Sequence, residues 1–274
     1  MARLRALLLS THPGPGGAVA VIAVLLAITA GLDVWRVALI GLVMVLDQAS
    51  VGLSNDWIDA DRDRAVGRTD KPVARGDIAP RLARDVAIAA AVASVIASVP
   101  LGGAAVLAHL LFLTGAWAYN AGLKNSAISV LPYLVSFGTL PAIVTLARDQ
   151  PALPAWWVVA AGALLGAGAH FANVLPDLED DAATGVRGLP HRIGRLASLV
   201  TVWIALPAAA LCLALGIGPA TPLAIGGLVA SLTLAAAGLV AGLTRAPSRA
   251  LFRLVIAAAL VDVVMLLIGG SRGL

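Results

Sequence analysis

Residues 55–76, "NDWIDADRDRAVGRTDKPVARG", and residues 173–194, "NVLPDLEDDAATGVRGLPHRIG", align without a gap. They coincide at Asn55/Asn173, Asp59/Asp177, Asp63/Asp181, Ala65/Ala183, Gly67/Gly185, Pro72/Pro190 and Gly76/Gly194, the pattern N-x3-D-x3-D-x-A-x-G-x4-P-x3-G written twice. Each copy begins where a long apolar run ends. The chain therefore reads as two similar halves, and repeats of this kind place a site at the interface between halves.

The runs around these segments set the fold class. The chain has 274 residues, of which 60% are hydrophobic and only 12% charged, with a mean hydropathy of +0.95. A soluble domain carries about 25% charged residues. Runs near the roughly 20 residues needed to cross a bilayer fall at 17–32, 37–54, 83–101, 104–123, 128–147, 155–175, 196–215, 222–243 and 251–269. The expected fold is all-α: a polytopic membrane protein with nine transmembrane helices in two similar halves around a central cavity. No long soluble segment separates the runs, so residues 1–274 read as one membrane domain. The opening "MARLRALLLSTHPGP" has no small-residue cleavage site and is broken by Pro13 and Pro15, so it reads as a cytoplasmic lead-in rather than a signal peptide. The sole cysteine, Cys212, lies in an apolar run and reads as packing.

Charge sets the orientation. With the N-terminus inside, the inner segments hold sixteen Lys and Arg and the outer ones three, Arg36, Arg148 and Arg272. That bias puts the N-terminus and the acidic segments in the cytoplasm and the C-terminus outside a cell membrane. A pI near 10.0 then reports topology and anionic lipid headgroups. No nucleic-acid partner is implied.

A spacing of four places Asn55, Asp59 and Asp63 along one stripe of a helix, with Asp56 beside them and Asp61 pointing away. In the second copy Asn173, Asp177 and Asp181 form the stripe, flanked by Glu179 and Asp180. Gln48 and His170 extend the two stripes into the membrane. A solvated loop would explain one acidic cluster. It does not explain two in the same frame. Carboxylates crowded on facing helices, at least five in one pocket, are tolerated when divalent cations lie between them, and hard oxygen ligands suit Mg²⁺. Arg68, Lys71, Arg75, Lys124, Arg187 and Arg192 lie on the same inner side, and Lys124 closes "YNAGLK" (residues 119–124). Acid-bound Mg²⁺ beside Lys and Arg is chemistry suited to a diphosphate: metal bridges phosphate oxygens, and cations neutralise charge on a leaving group.

These residues resemble the UbiA superfamily of intramembrane prenyltransferases. Its motif NDxxDxxxD is matched by Asn55, Asp56, Asp59 and Asp63; its DxxxD by Asp177 and Asp181; its Tyr–Lys element by Tyr119 and Lys124. The resemblance covers nearly the whole chain. It implies Mg²⁺-dependent transfer of a prenyl group from a prenyl diphosphate to a lipophilic or aromatic acceptor, with release of diphosphate, at a membrane-lipid-facing site that requires no protein partner. The implied metal residues are Asn55, Asp56, Asp59, Asp63, Asn173, Asp177 and Asp181. The implied diphosphate contacts are Arg68, Lys71, Lys124 and Arg187, with Lys71, Tyr119 and Lys124 acting on the departing oxygen. Family members commonly carry an arginine before the proline of the N-terminal segment, where this chain has His12.

Two other functions fit parts of the pattern. A terpene cyclase on the same scaffold would use the same motifs. A cation-coupled transporter would place its site at the midplane, whereas these stripes sit at the inner membrane edge. Three ionisable residues, Asp47, His109 and Asp262, lie inside apolar runs, where such groups are costly. Asp47 reads as a structural residue paired with a basic group on another helix.

Overall fold

A computed structural model describes residues 2–178, 185–244, 249–269 and 273–274. The α-helices run in order α1 Ala2–Ser10, α2 Pro13–Thr29, α3 Val34–Ile58, α4 Ala60–Ala65, α5 Pro72–Arg75, α6 Pro80–Ser98, α7 Gly103–Ala121, α8 Leu131–Thr145, α9 Trp156–Val174, α10 Leu189–Ile217, α11 Pro222–Thr244 and α12 Arg249–Gly269. Short 3-10 turns close α6, α7 and α9. No strand occurs among the described residues.

All nine apolar runs fall on helices, α2, α3 and α6 to α12. By length and composition α3, α6 with its following turn, α7, α9, α10 and α11 can each cross a membrane. The pair α1–α2, bent by 59° between Arg3–Ser10 and Pro13–Thr29, has the composition of a broken span or of a re-entrant loop, and as one span it would be a seventh. Leu131–Thr145 and Leu254–Gly269 are apolar but shorter. Proline stands in the first turn of α2, α6, α8 and α10, where its missing N–H has no helical partner to lose. Two boundaries differ from expectation. The second run continues beyond 54 to Ile58, because its polar last turn is held by cations and not by lipid. The seventh starts at Leu189 and breaks at Gly194, so the run from 196 is the membrane part of a kinked helix.

The backbone bears out the repeat. Gly67 and Gly185 have φ of 70° and 83°, and Gly76 and Gly194 have φ of 84° and 82°. All four occupy the left-handed region that favours glycine. Pro72 and Pro190 each open the helical turn that the second of these glycines ends.

Helix α3 packs against α2, α6 and α7; α9 lies between α8 and α10; α11 and α12 complete the bundle, and α12 returns to α2. The α8–α9 seam is close: a Cβ on Gly162 or Gly166 would lie 2.5 Å from the carbonyl of Phe137 or Tyr133. Such small-residue seams let helices approach without a hydrophobic drive. Arg36 bonds Asp33 and Asp149, Arg148 donates to the Leu274 carbonyl (2.7 Å), and Ala155 N–H donates to Gly273 (2.9 Å). Arg36, Arg148 and the last residues of the chain thus meet at one end of the bundle.

At the other end the 11–12 segment lies directly on α3. A Cβ on Gly52 would fall 2.5 Å from the Thr11 carbonyl. Backbone cannot yield as a side-chain tip can, so Gly52→Ala is expected to cost about 1–3 kcal/mol and to loosen the α1–α2 junction. Thermal unfolding of the purified protein and faster proteolysis before residue 13 would report it.

Candidate active site

The first acidic segment is built by a helix end. Asn55 and Asp56 form the last turn of α3, Asp59 caps it, and Asp63 lies on α4. The chain deviates at Asp59, yet Asp59 N–H still donates to Asn55 O (3.0 Å) and Asp63 N–H to Asp59 O (2.8 Å). The expected stripe therefore persists through the break. Asp56, Asp59 and Asp63 are buried, at 1%, 5% and 2% exposure. Asp61 points outward to Arg64, as expected from its spacing.

Buried carboxylates need counter-charge, and each has one here. Lys71 Nζ donates to Asn55 Oδ1 (2.9 Å) and lies 3.2 Å from Asp56 Oδ1 and 2.8 Å from Asp63 Oδ2. Lys124 is buried against Asp59 through a short contact, and Arg62 lies 3.0 Å from Asp59 and 3.6 Å from Asp63. Burial pushes the Lys124 ammonium below its ordinary value, and the Asp59 charge opposes that shift. His12 Nε2 lies 2.8 Å from Asp56 Oδ1. His12 has φ 50°, the one positive value among described non-glycine residues. That costly conformation turns its ring toward Asp56.

Lys71 thus occupies an oxygen cage made by one amide and two carboxylates, while Asp56 Oδ2 is buried with no hydrogen-bond partner. Hard oxygens already converging on a cation, with one oxygen spare, fit an ion such as Mg²⁺. Among the described residues no three His, Cys, Asp or Glu side chains gather around one point, so the first segment offers carboxylate pairs supplemented by Asn55.

Helix α7 supplies the wall facing this cluster. Asn120 donates to the Val51 carbonyl (3.0 Å) and Ser54 Oγ (2.8 Å), and its Oδ1 accepts from Asn55 (3.3 Å). The Tyr119 ring meets Tyr133 and His170 edge-on, with centroids 5.1 Å and 5.7 Å away. His170 also packs against Phe171. An aromatic wall across α7, α8 and α9 therefore joins the segment that carries Lys124.

The remaining expected residues lie less centrally. Arg68 is bound through two nitrogens to Asp70, whose carboxyl is held down to about 2 chiefly by that guanidinium. Asn173 is exposed on the last turn of α9, and Asp177 ends the 3-10 turn Leu175–Asp177. Arg187 is exposed and its carbonyl accepts from Arg192 (3.0 Å). Asp181, Glu179 and Asp180 lie outside the described residues. Sequence reading missed His12, Arg62 and Asn120 as partners of the aspartates. Arg62 was legible, standing three residues from Asp59 on one helical face. Asn120 left no such signal, since its partners on α3 lie 65 to 69 residues away.

Deeper in the bundle, Asp47 pairs with His109 across α3 and α7 (3.1 Å) and accepts from Gln48 (3.0 Å). The expected basic partner on another helix is this histidine. Asp262 is fully buried with neither oxygen bonded.

The UbiA prenyltransferase family model matches residues 17–261. A digeranylgeranylglyceryl phosphate synthase of Archaeoglobus fulgidus is 26% identical over 169 residues, covering 59% of this chain and 56% of that protein. A 4-hydroxybenzoate octaprenyltransferase of Ralstonia nicotianae is 29% identical over 143 residues, covering 52% and 49%. The chain thus spans about half the length of the curated relatives it matches. The fold is that of a UbiA homolog from Aeropyrum pernix K1, with a TM-score of 0.75 at 19% identity over 91% of this chain and 96% of the other. A UbiA homolog from Archaeoglobus fulgidus bound to GPP and Mg²⁺ is similar over 99% of both chains, with a TM-score of 0.72 at 16% identity. With the family model matched over most of its length, this chain belongs to the UbiA prenyltransferase family.

Proposed function

We propose that this protein is a Mg²⁺-dependent intramembrane prenyltransferase, an alkyl transferase acting as one domain, that moves a prenyl group from a prenyl diphosphate to a lipophilic or aromatic acceptor. The observation that carries the proposal is the oxygen cage of Asn55, Asp56 and Asp63 closed on Lys71, with Lys124 on Asp59 beside it. Family membership and a similar fold bound to GPP and Mg²⁺ support the same chemistry.

Asn55, Asp56, Asp59 and Asp63, with Asn173, Asp177 and Asp181 of the second segment, are the residues that would hold metal. Bound Mg²⁺ would neutralise the diphosphate oxygens and make them a better leaving group. Lys71 and Lys124, held beside these carboxylates, would donate to the departing oxygen. Tyr119 adds a hydroxyl, and Arg68 and Arg187 lie at the rim. The carbon–oxygen bond breaks with its electron pair leaving on the diphosphate. The acceptor forms the new bond to that carbon and gives up a proton. Such donors act most strongly on charge that develops in the transition state inside a water-poor site. Ring faces of Tyr119, Tyr133 and Phe171 suit the allylic cation. The mouth lies at the end carrying most of the Lys and Arg, which orientation by charge puts in the cytoplasm.

The test uses purified protein in lipid nanodiscs with prenyl diphosphates of increasing length, with and without phenolic and glycerol-phosphate acceptors. Pyrophosphate release that requires Mg²⁺ and an acceptor is expected. Release without acceptor, with a cyclised hydrocarbon, would identify a cyclase. No metal-dependent release from any donor would overturn the proposal.

A further inference from the structure

One buried hydroxyl ties α9 and the start of α10 to the lysine loop. Ser129 is fully buried in the connection between α7 and α8, five residues after Lys124. Its Oγ accepts the backbone N–H of Leu189 (2.8 Å) and bonds Nε2 of His170 (3.1 Å). Leu189 is the first residue of α10, whose N-cap is Gly188 with no capping side chain of its own. First-turn N–H groups have no partner within their helix, and here a serine 60 residues away in sequence supplies one. The approach is tight: a Cβ on Gly188 would lie 2.5 Å from the Lys124 carbonyl and 3.0 Å from Ser129 Oγ. Gly188 stands where the first copy of the repeat has Asp70, so this docking belongs to the second half alone.

The same clasp reaches the aromatic wall. The His170 ring lies 5.0 Å from Tyr133 and 5.7 Å from Tyr119, and His170 is three residues before Asn173 on α9. Four parts of the site therefore meet at one oxygen: the Lys124 loop, the ring wall, the helix leading into the second acidic segment and the helix leading out of it.

We propose that Ser129 is a positioning residue that holds α9 and the start of α10, which flank the second acidic segment in sequence, against the loop carrying Lys124, so that Lys124 stays aligned on the diphosphate. This rests on the prenyl-transfer reading above. The hydroxyl touches no reacting atom and acts through Leu189 and His170. Small misplacements are costly in such sites: about 1 Å corresponds to roughly 100-fold in rate.

The test compares wild type, Ser129→Ala and Ser129→Thr, each in nanodiscs. Turnover of a prenyl diphosphate is measured together with the spin-label distance between Ala127→Cys and Ile193→Cys in a Cys212→Ala background. Expected for Ser129→Ala is a fall in kcat/KM of roughly 100-fold with a broadened distance distribution, and Ser129→Thr should restore both. Unchanged turnover overturns the proposal, as does a fall in turnover with an unchanged distance. If the alanine variant does not purify, Ser129→Val, isosteric with the threonine variant but without its hydroxyl, replaces it under the same criteria. A wild type inert toward every donor overturns the prenyl-transfer reading instead; the distance arm still decides the clasp, an unbroadened distribution overturning it.

Discussion

Asp59→Asn is expected to lower kcat/KM by about 10³-fold while leaving a folded, membrane-inserted protein. The substitution keeps side-chain volume and an oxygen for the Asn55 amide, which reaches Asp59 at 3.2 Å. It removes the charge that holds both Lys124 and Arg62. On the proposed reading a bound metal would lose a carboxylate ligand, and Lys124, at 8% exposure, loses the counter-charge that opposes its desolvation. Two effects then fall on one reaction: weaker metal binding and a donor less able to stay charged. Titrating Mg²⁺ separates them. A variant whose turnover recovers fully at high Mg²⁺ has lost affinity alone; one that stays slow at saturation has lost leaving-group stabilisation as well. Wild-type turnover in Asp59→Asn would remove Asp59 from the site. Asp177→Asn tests the second segment in the same way, and the shared-site reading requires both to fall.

How much of this was legible from sequence depends on how far a contact lies along the chain. Hydropathy located all nine apolar runs because lipid imposes length and composition on each helix separately. The repeat could be read because glycine at a left-handed position leaves a residue-type signature, and Gly67, Gly76, Gly185 and Gly194 all adopt that conformation. The stripe of Asn55, Asp59 and Asp63 followed from helical spacing alone. Contacts between helices were not legible in the same way. His12 reaches Asp56 across 44 residues through a backbone turn that its residue type does not favour. Ser129 looked like an ordinary loop serine, since its two partners lie 41 and 60 residues away. Pairing Asp47 with His109 needed the parallel register of α3 and α7, which hydropathy does not carry.

That last pair gives a second large expectation. Asp47 and His109 are both fully buried, joined at 3.1 Å, with Gln48 donating to the other carboxylate oxygen. Removing His109 leaves Asp47 buried with Gln48 as its remaining side-chain partner and one carboxylate oxygen unbonded. His109→Leu is therefore expected to cost about 1–3 kcal/mol of stability, read as a lower unfolding midpoint in detergent. The cost belongs to the buried oxygen left unsatisfied more than to the lost bond itself. Removing both partners should then return most of it, so Asp47→Leu/His109→Leu should be more stable than His109→Leu alone, with a coupling outside additive error. Catalysis makes the opposite demand. His109 lies eleven residues before Asn120 on α7, about 16 Å along the axis, too deep to touch a diphosphate held at Asn55. If the pair only joins two helices, the double variant turns over substrate at the wild-type rate per folded molecule. If it carries a proton for the reaction, the double variant is stable and inactive. Stability and turnover measured on the same preparation decide between a joint and a relay.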